Sequence, residues 1–201
     1  IMKKSLWLIA LIATQIMGST SYDWTMSAIV ESNSKNDYRA YLWIPLSCST
    51  GVRGLILTAH TSSENRFVKE PIIRQTATKN RLAIVYLYPS SVSKPRSSDT
   101  LFILKALKKL SELSGFAEIQ YAPWITFGHS TSCHFALDIA RWKPERTIAA
   151  IPYKGRIVEP ASWVNNNLKG VPVLAVRGEY EEYDCVDHDV REGCIDGYLQ
   201  L

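Results

Sequence analysis

Histidine and cysteine are both scarce, at four residues each, and neither falls at a metal-ligand spacing. No C-x-x-C and no H-x-x-x-H occurs, so no metal site is expected. A large excess of either charge is also missing. The formal charge of +4 includes Lys3 and Lys4; without them 21 basic residues face 19 acidic ones, spread evenly along the chain. That balance leaves no electrostatic footprint for nucleic acid, and no nucleic-acid partner is expected. Internal repeats and low-complexity tracts are absent. At 46 % hydrophobic and 21 % charged, the composition excludes a disordered or fibrous chain. The 201 residues suit one domain with a sizeable core.

A long hydrophobic run is lacking too. The N-terminal apolar stretch, 6–18, is interrupted by Thr14 and Gln15 and is too short to span a bilayer comfortably. Met2-Lys3-Lys4 precedes it and Gly18-Ser19-Thr20-Ser21 follows, which is the pattern of a secretory signal. Residues 1–21 are therefore expected to be removed. The mature chain is then secreted or periplasmic, with no stable membrane association. An uncleaved membrane anchor is the alternative. Ile1 ahead of an apparent start at Met2 suggests ends that were not set by the gene. In an exported chain cysteines raise disulfides. Cys185 and Cys194 are near enough in sequence to bridge, Cys133 reads as a buried thiol, and Cys48 has no obvious partner. The pairing stays open.

What is present is an alternation of strand and helix patterns. Segments 24–30 and 38–45 are strand-like and joined by a polar stretch, as in an antiparallel hairpin. Segments 54–60 and 81–88 are near-continuous apolar runs, as in strands buried on both faces. Between them 61–65 is a polar loop and 67–77 a helix with Pro71 near its first turn. Segment 89–98 reads as a solvated loop at a strand end. Asp99 is placed to cap a helix over 100–114, with Leu101, Leu104, Leu107 and Leu110 at i, i+3 spacing and Gly115 as its stop. Lys105, Lys108 and Lys109 lie off that stripe on a solvated face. Strands follow at 123–127, 147–151 and 171–176, with a short helix over 161–168. Alternation of this kind predicts an α/β fold with a mostly parallel, doubly wound sheet.

The central stretch is Gly128-His129-Ser130-Thr131-Ser132. It follows the apolar strand at 123–127 and opens a helical pattern over 132–142. Strand, sharp turn bearing a serine, then helix is the context of a nucleophile elbow. Small residues two before and two after the serine let so sharp a turn close; Gly128 and Ser132 meet that need. The helix N-terminus behind the turn favours developing negative charge. An ordinary strand-to-helix turn capped by serine is the alternative.

The elbow, then His134-Phe135-Ala136-Leu137-Asp138-Ile139-Ala140-Arg141, then Lys143-Pro144-Glu145-Arg146 with Ala149-Ala150, resembles the centre of an α/β-hydrolase. Within that superfamily the chain looks most like secreted single-domain esterases of the feruloyl esterase and polyhydroxybutyrate depolymerase group. The resemblance runs from about 39 to 184. It implies a mostly parallel α/β-hydrolase sheet over 22–201 with an antiparallel N-terminal hairpin. It implies Ser130 as nucleophile and no cofactor. It implies an oxyanion hole of backbone N–H groups, from Thr131 and from Thr61 or Ser62 beside His60, where the usual His-Gly has become His60-Thr61. Glu181 falls where the triad acid stands, with Glu179, Glu182 and Asp184 in competition. His60 and Tyr153 are taken as substrate-lining residues at the expected mouth, with Trp163 near, although a structural role is the favoured one for His60 and packing the commoner one for Tyr153 and Trp163; His129 reads as a packing residue beside the elbow.

The base is what this pattern lacks. The family order is Ser, acid, His, with a helix and strand before the His. His60, His129 and His134 precede the acid, and His188 follows Glu181 too closely. The chain is expected to be incomplete at its C-terminus, without the last strand, the last helix and the triad His. The reading is a serine esterase that forms an acyl-enzyme on Ser130 and acts on a small-molecule or polymer-linked ester; the alternative is a non-catalytic, hydrolase-like binding protein.

Overall fold

A computed structural model of the protein describes residues 24–32, 37–61, 63–155, 160–164, 168 and 170–176. Among the described residues six strands form one sheet in the order β1-β2-β4-β3-β5-β6. β1 (Met26–Ser32) and β2 (Asp37–Trp43) make the expected antiparallel hairpin at one edge. β2 then runs antiparallel to β4 (Leu82–Tyr88). From there the sheet is parallel through β3 (Gly54–Ala59), β5 (Trp124–His129) and β6 (Thr147–Tyr153). The segment 171–176 lies beside β6 in parallel, through bridges at Val173 and Val176, rather than as a full strand. Six of seven predicted strand segments are thus strands, with ends shifted by a few residues.

The apolar runs explain the layering. β3 and β4 are buried along almost their whole length, because helices cover both faces. On one face Phe102, Ile103, Ala106, Leu107 and Leu110 of α3 (Ser97–Ser114) and Phe135 and Ile139 of α4 (Cys133–Trp142) pack on Leu55, Leu57, Val85 and Leu87. On the other, α2 (Pro71–Asn80) contributes Ala77 to a smaller cluster with Val68 and Ile84. There Arg74 is buried with its guanidinium 4.1 Å from the centre of the Trp43 ring, and burial lowers its pKa to about 10.

Several helix expectations are corrected. The helix expected over 67–77 begins at Pro71, whose fixed φ and missing N–H suit the first helical position; Phe67 instead ends a separate single turn, α1 (Glu64–Phe67). The helix expected over 100–114 starts at Ser97. Asp99 is not its cap but sits in its first turn, where its carboxylate accepts the Arg96 N–H at 2.8 Å. Gly115 does end it, at φ +77. The leucine stripe is not one face: Leu107 and Leu110 are buried, but Leu101 and Leu104 are exposed. Lys105 and Lys109 are exposed as expected, and they also bond β1, at Glu31 Oε1 (2.6 Å) and the Ile29 carbonyl (2.8 Å). In the segment expected as a helix over 161–168, the described residues 161–164 form a turn closed by the Val164 N–H on the Ala161 carbonyl. The signal segment 1–21, Glu179, Glu181, Glu182, Asp184, Cys185, His188 and Cys194 lie outside the described residues.

This topology makes a crevice. β3 is followed by a connection to β4 on one side, and β5 by a connection to β6 on the other. The loops leaving β3 and β5 therefore diverge over the C-terminal ends of neighbouring strands, where open α/β sheets place their ligands.

Candidate active site

β5 delivers its end to that crevice on a rigid base. Trp124 is fully buried with its Nε1 donating to Thr147 Oγ1 at 2.9 Å, and Thr126 Oγ1 donates to the Ala136 carbonyl at 2.7 Å. The latter bond pins β5 to the helix that follows the turn. Past β5, Ser130–Ser132 make one tight 3-10 turn into α4. Ser130 has φ +53, one of three non-glycine residues with positive φ among the described residues. L-residues avoid this region by about 1–2 kcal/mol. It persists because its surroundings determine it. A Cβ on Gly128 would collide with the Ser132 carbonyl, and one on Gly155 with the Ser130 carbonyl and Cys133 Sγ. Ser132 is fully buried, and its Oγ reaches back to the Ala59 carbonyl of β3 at 3.3 Å. Cys133 is buried as expected, its Sγ 3.4 Å from the Gly128 carbonyl. The backbone is thus clasped on every side while Ser130 and Thr131 stay exposed. The N-terminus of the ten-residue α4 lies directly behind them.

The facing wall is the loop after β3, and its centre is Glu64, which has no exposed surface. Glu64 Oε2 accepts the Thr61 N–H at 2.9 Å, and Oε1 accepts the Thr61 hydroxyl at 2.5 Å and the His129 N–H at 3.1 Å. Ser63 Oγ shares a 2.7 Å hydrogen bond with His129 Nδ1, and Thr61 Oγ1 is 3.4 Å from the His129 carbonyl. Burial acts to raise the Glu64 pKa, but the bonds from the Thr61 hydroxyl, from its own backbone N–H and from the Thr61 and His129 N–H groups together outweigh it and hold the carboxyl below its ordinary 4.5. Phe67 completes the wall, stacked on Phe127 with ring centres 4.0 Å apart.

The expected residues that the structure describes each have a definite place. Thr61 faces the turn, but its N–H is engaged by Glu64; Ser62 lies outside the described residues. His60 is half-buried, shares a hydrogen bond with the Tyr86 hydroxyl through Nδ1 and packs on Tyr88. Burial pushes the Tyr86 phenol up. Tyr153 is half-buried at the end of β6, 5.7 Å ring to ring from His129. Trp163 packs against the main core with its Nε1 donating to the Pro95 carbonyl at 2.9 Å. Among the described residues no side chain bonds the Ser130 hydroxyl. Ser63 and Glu64 were not singled out from sequence, although Thr61-Ser62-Ser63-Glu64 carries the T-x-x-E signature of a carboxylate reaching back to a backbone N–H.

No protein-family model matches the chain, and no curated protein does. Solved structures do resemble it. A thermostable esterase superposes with a TM-score of 0.59 over 90 % of this chain at 13 % identity; the chain spans 52 % of that protein. The fluorophosphonate-binding serine hydrolase FphF of Staphylococcus aureus gives a TM-score of 0.57 at 14 % identity, over 87 % of this chain and 85 % of its own. The siderophore hydrolase EstA of Aspergillus nidulans gives 0.57 at 14 % identity, over 87 % and 81 %.

Proposed function

We propose that the full-length protein to which this chain belongs, and whose fold is the α/β-hydrolase fold shared with those esterases and serine hydrolases, hydrolyses carboxylic esters through an acyl-enzyme on Ser130. The observation that carries this reading is Ser130 itself: an exposed serine at φ +53, on a turn packed so closely that Gly128 and Gly155 have no room for a Cβ, at the N-terminus of α4. A solvated serine placed only to cap a helix has no need of that backbone.

In the proposed reaction Ser130 Oγ attacks the ester carbonyl and its proton passes to a histidine base, supplied from outside the described residues and oriented by Glu181. The carbonyl oxygen becomes an oxyanion facing the Thr131 N–H. With the Thr61 N–H engaged by Glu64, Ser62 is the donor this reading takes from the facing loop. Collapse expels the alcohol, which takes the proton from the histidine, and water then releases the acid by the same steps. No cofactor takes part. His60 and Tyr153 line the entrance for a small-molecule or polymer-linked ester. The N-terminal signal pattern supports an exported enzyme; among the described residues no helix is long and apolar enough to cross a membrane.

The test is hydrolysis of p-nitrophenyl acetate by the full-length protein, with labelling by a fluorophosphonate probe. Turnover and a probe adduct on Ser130 are expected, with both lost in Ser130→Ala while the circular dichroism is unchanged. A folded protein that shows neither overturns the esterase reading and leaves a hydrolase-like binding protein.

A further inference from the structure

The reaction just proposed leaves Glu64 without a part, yet this carboxylate lies at the join of the two loops that frame Ser130. A buried carboxylate is stable only when it is well paired or hydrogen-bonded. Its bonds within the described residues come from N–H and O–H groups rather than from a cation, and they come both from the loop after β3 and from the end of β5 that carries the turn. Oε2 holds the Thr61 N–H of the loop after β3; Oε1 holds the N–H of His129, the residue immediately before Ser130.

We infer that Glu64 is a positioning residue of the catalytic site: it ties the loop after β3 to the nucleophile turn and so sets the gap into which the ester carbonyl must fit. This rests on the serine-esterase reading. The chemistry of the bonds requires an ionised carboxylate. The two N–H groups lie on different oxygens, so a glutamine can accept one of them and must present its own NH₂ to the other. An aspartate is one methylene too short to reach both. The Thr61 hydroxyl adds a second bond to Oε1, and Ser63 ties the same loop to the His129 ring. Phe67, stacked on Phe127, fixes α1 on β5 and with it the Glu64 backbone. The clasp thus acts on the spacing between an oxyanion donor loop and Oγ, a distance on which transition-state stabilisation depends steeply and substrate binding much less.

The experiment compares wild type with Glu64→Gln, which keeps the volume, and with Glu64→Ala. It reads steady-state hydrolysis of p-nitrophenyl acetate and amide hydrogen exchange. In Glu64→Gln, kcat is expected to fall about 10- to 100-fold with KM within about threefold. The Thr61 and His129 amides are expected to exchange about tenfold faster or more, while Ile84 and Val85 in β4 keep their protection. A merely structural role would lower all protection together and leave the kcat of the folded fraction alone. Unchanged kcat in a folded Glu64→Gln, or unchanged exchange at Thr61 and His129, overturns the positioning role while wild-type turnover keeps the esterase reading. Wild type without turnover or probe adduct overturns the esterase reading, and the catalytic role of Glu64 with it.

Discussion

Glu64 gives the residue scale its clearest test, because its charge is linked to stability. Burial raises its pKa, and the hydrogen bonds from Thr61, from its own backbone N–H and from His129 together lower it further than burial raises it, so the folded-state value lies below the ordinary 4.5. A carboxyl with a depressed folded pKa contributes stability that is fully present above the unfolded value and is lost as pH falls through the folded value. Glu64→Gln is therefore expected to be less stable than wild type at neutral pH, with the gap narrowing once pH drops below 4.5; urea unfolding followed at several pH values measures it. A gap that is constant with pH would mean that the carboxylate charge carries no stability. At this scale the sequence was legible where a motif imposes backbone geometry. Gly128, Ser130 and Ser132 announce a turn that only small neighbours allow, and Cys133 announces a small buried side chain behind it. It was not legible where a polar side chain is buried by a partner distant in the chain: nothing local says that the acid in Thr61-Ser62-Ser63-Glu64 will meet His129.

For the elements, α3 shows how helical phase decides burial. Three residues turn a helix through about 300°, so leucines every third position drift about 60° per step and cannot all face one way. Phe102, Ile103, Ala106, Leu107 and Leu110 keep to the buried face, and Leu101 and Leu104 leave it. Leu107→Ala is expected to destabilise by about 2–5 kcal/mol, and Leu101→Ala by no more than about 0.5 kcal/mol; chemical denaturation of the two variants distinguishes them. Equal effects would contradict this packing. The buried strands were readable because β3 and β4, covered on both faces, must be apolar throughout. Helix starts were less readable. The Arg96 N–H donates to a carboxylate inside the helix, so the first acidic residue marks the first turn and not the boundary. The Lys105 and Lys109 bonds to β1 were equally hidden, since a lysine on an exposed face has the same sequence signature with or without a strand edge beside it.

For the whole molecule, the alternation of strands and helices made the fold class legible, while the pairing order was not: no local pattern says that β3 lies between β4 and β5. That order has a kinetic consequence. On one side Leu55 pairs with Ala83, on the other with the much more distant Trp124. Closing the longer loop costs more chain entropy, and such non-local pairing slows folding. The contorted backbone of Ser130 can be held only after β5 has docked against β3, because its restraints come from Ala59, Glu64 and Gly155 as well as from its own helix. During refolding from urea, far-UV circular dichroism is expected to recover before Ser130 becomes reactive to a fluorophosphonate probe; simultaneous recovery would place the turn in the earliest structure. On the esterase reading proposed above, a serine whose turn is held between β3 and β5 stays chemically silent until those two strands have met, so reactivity would report their pairing rather than helix formation.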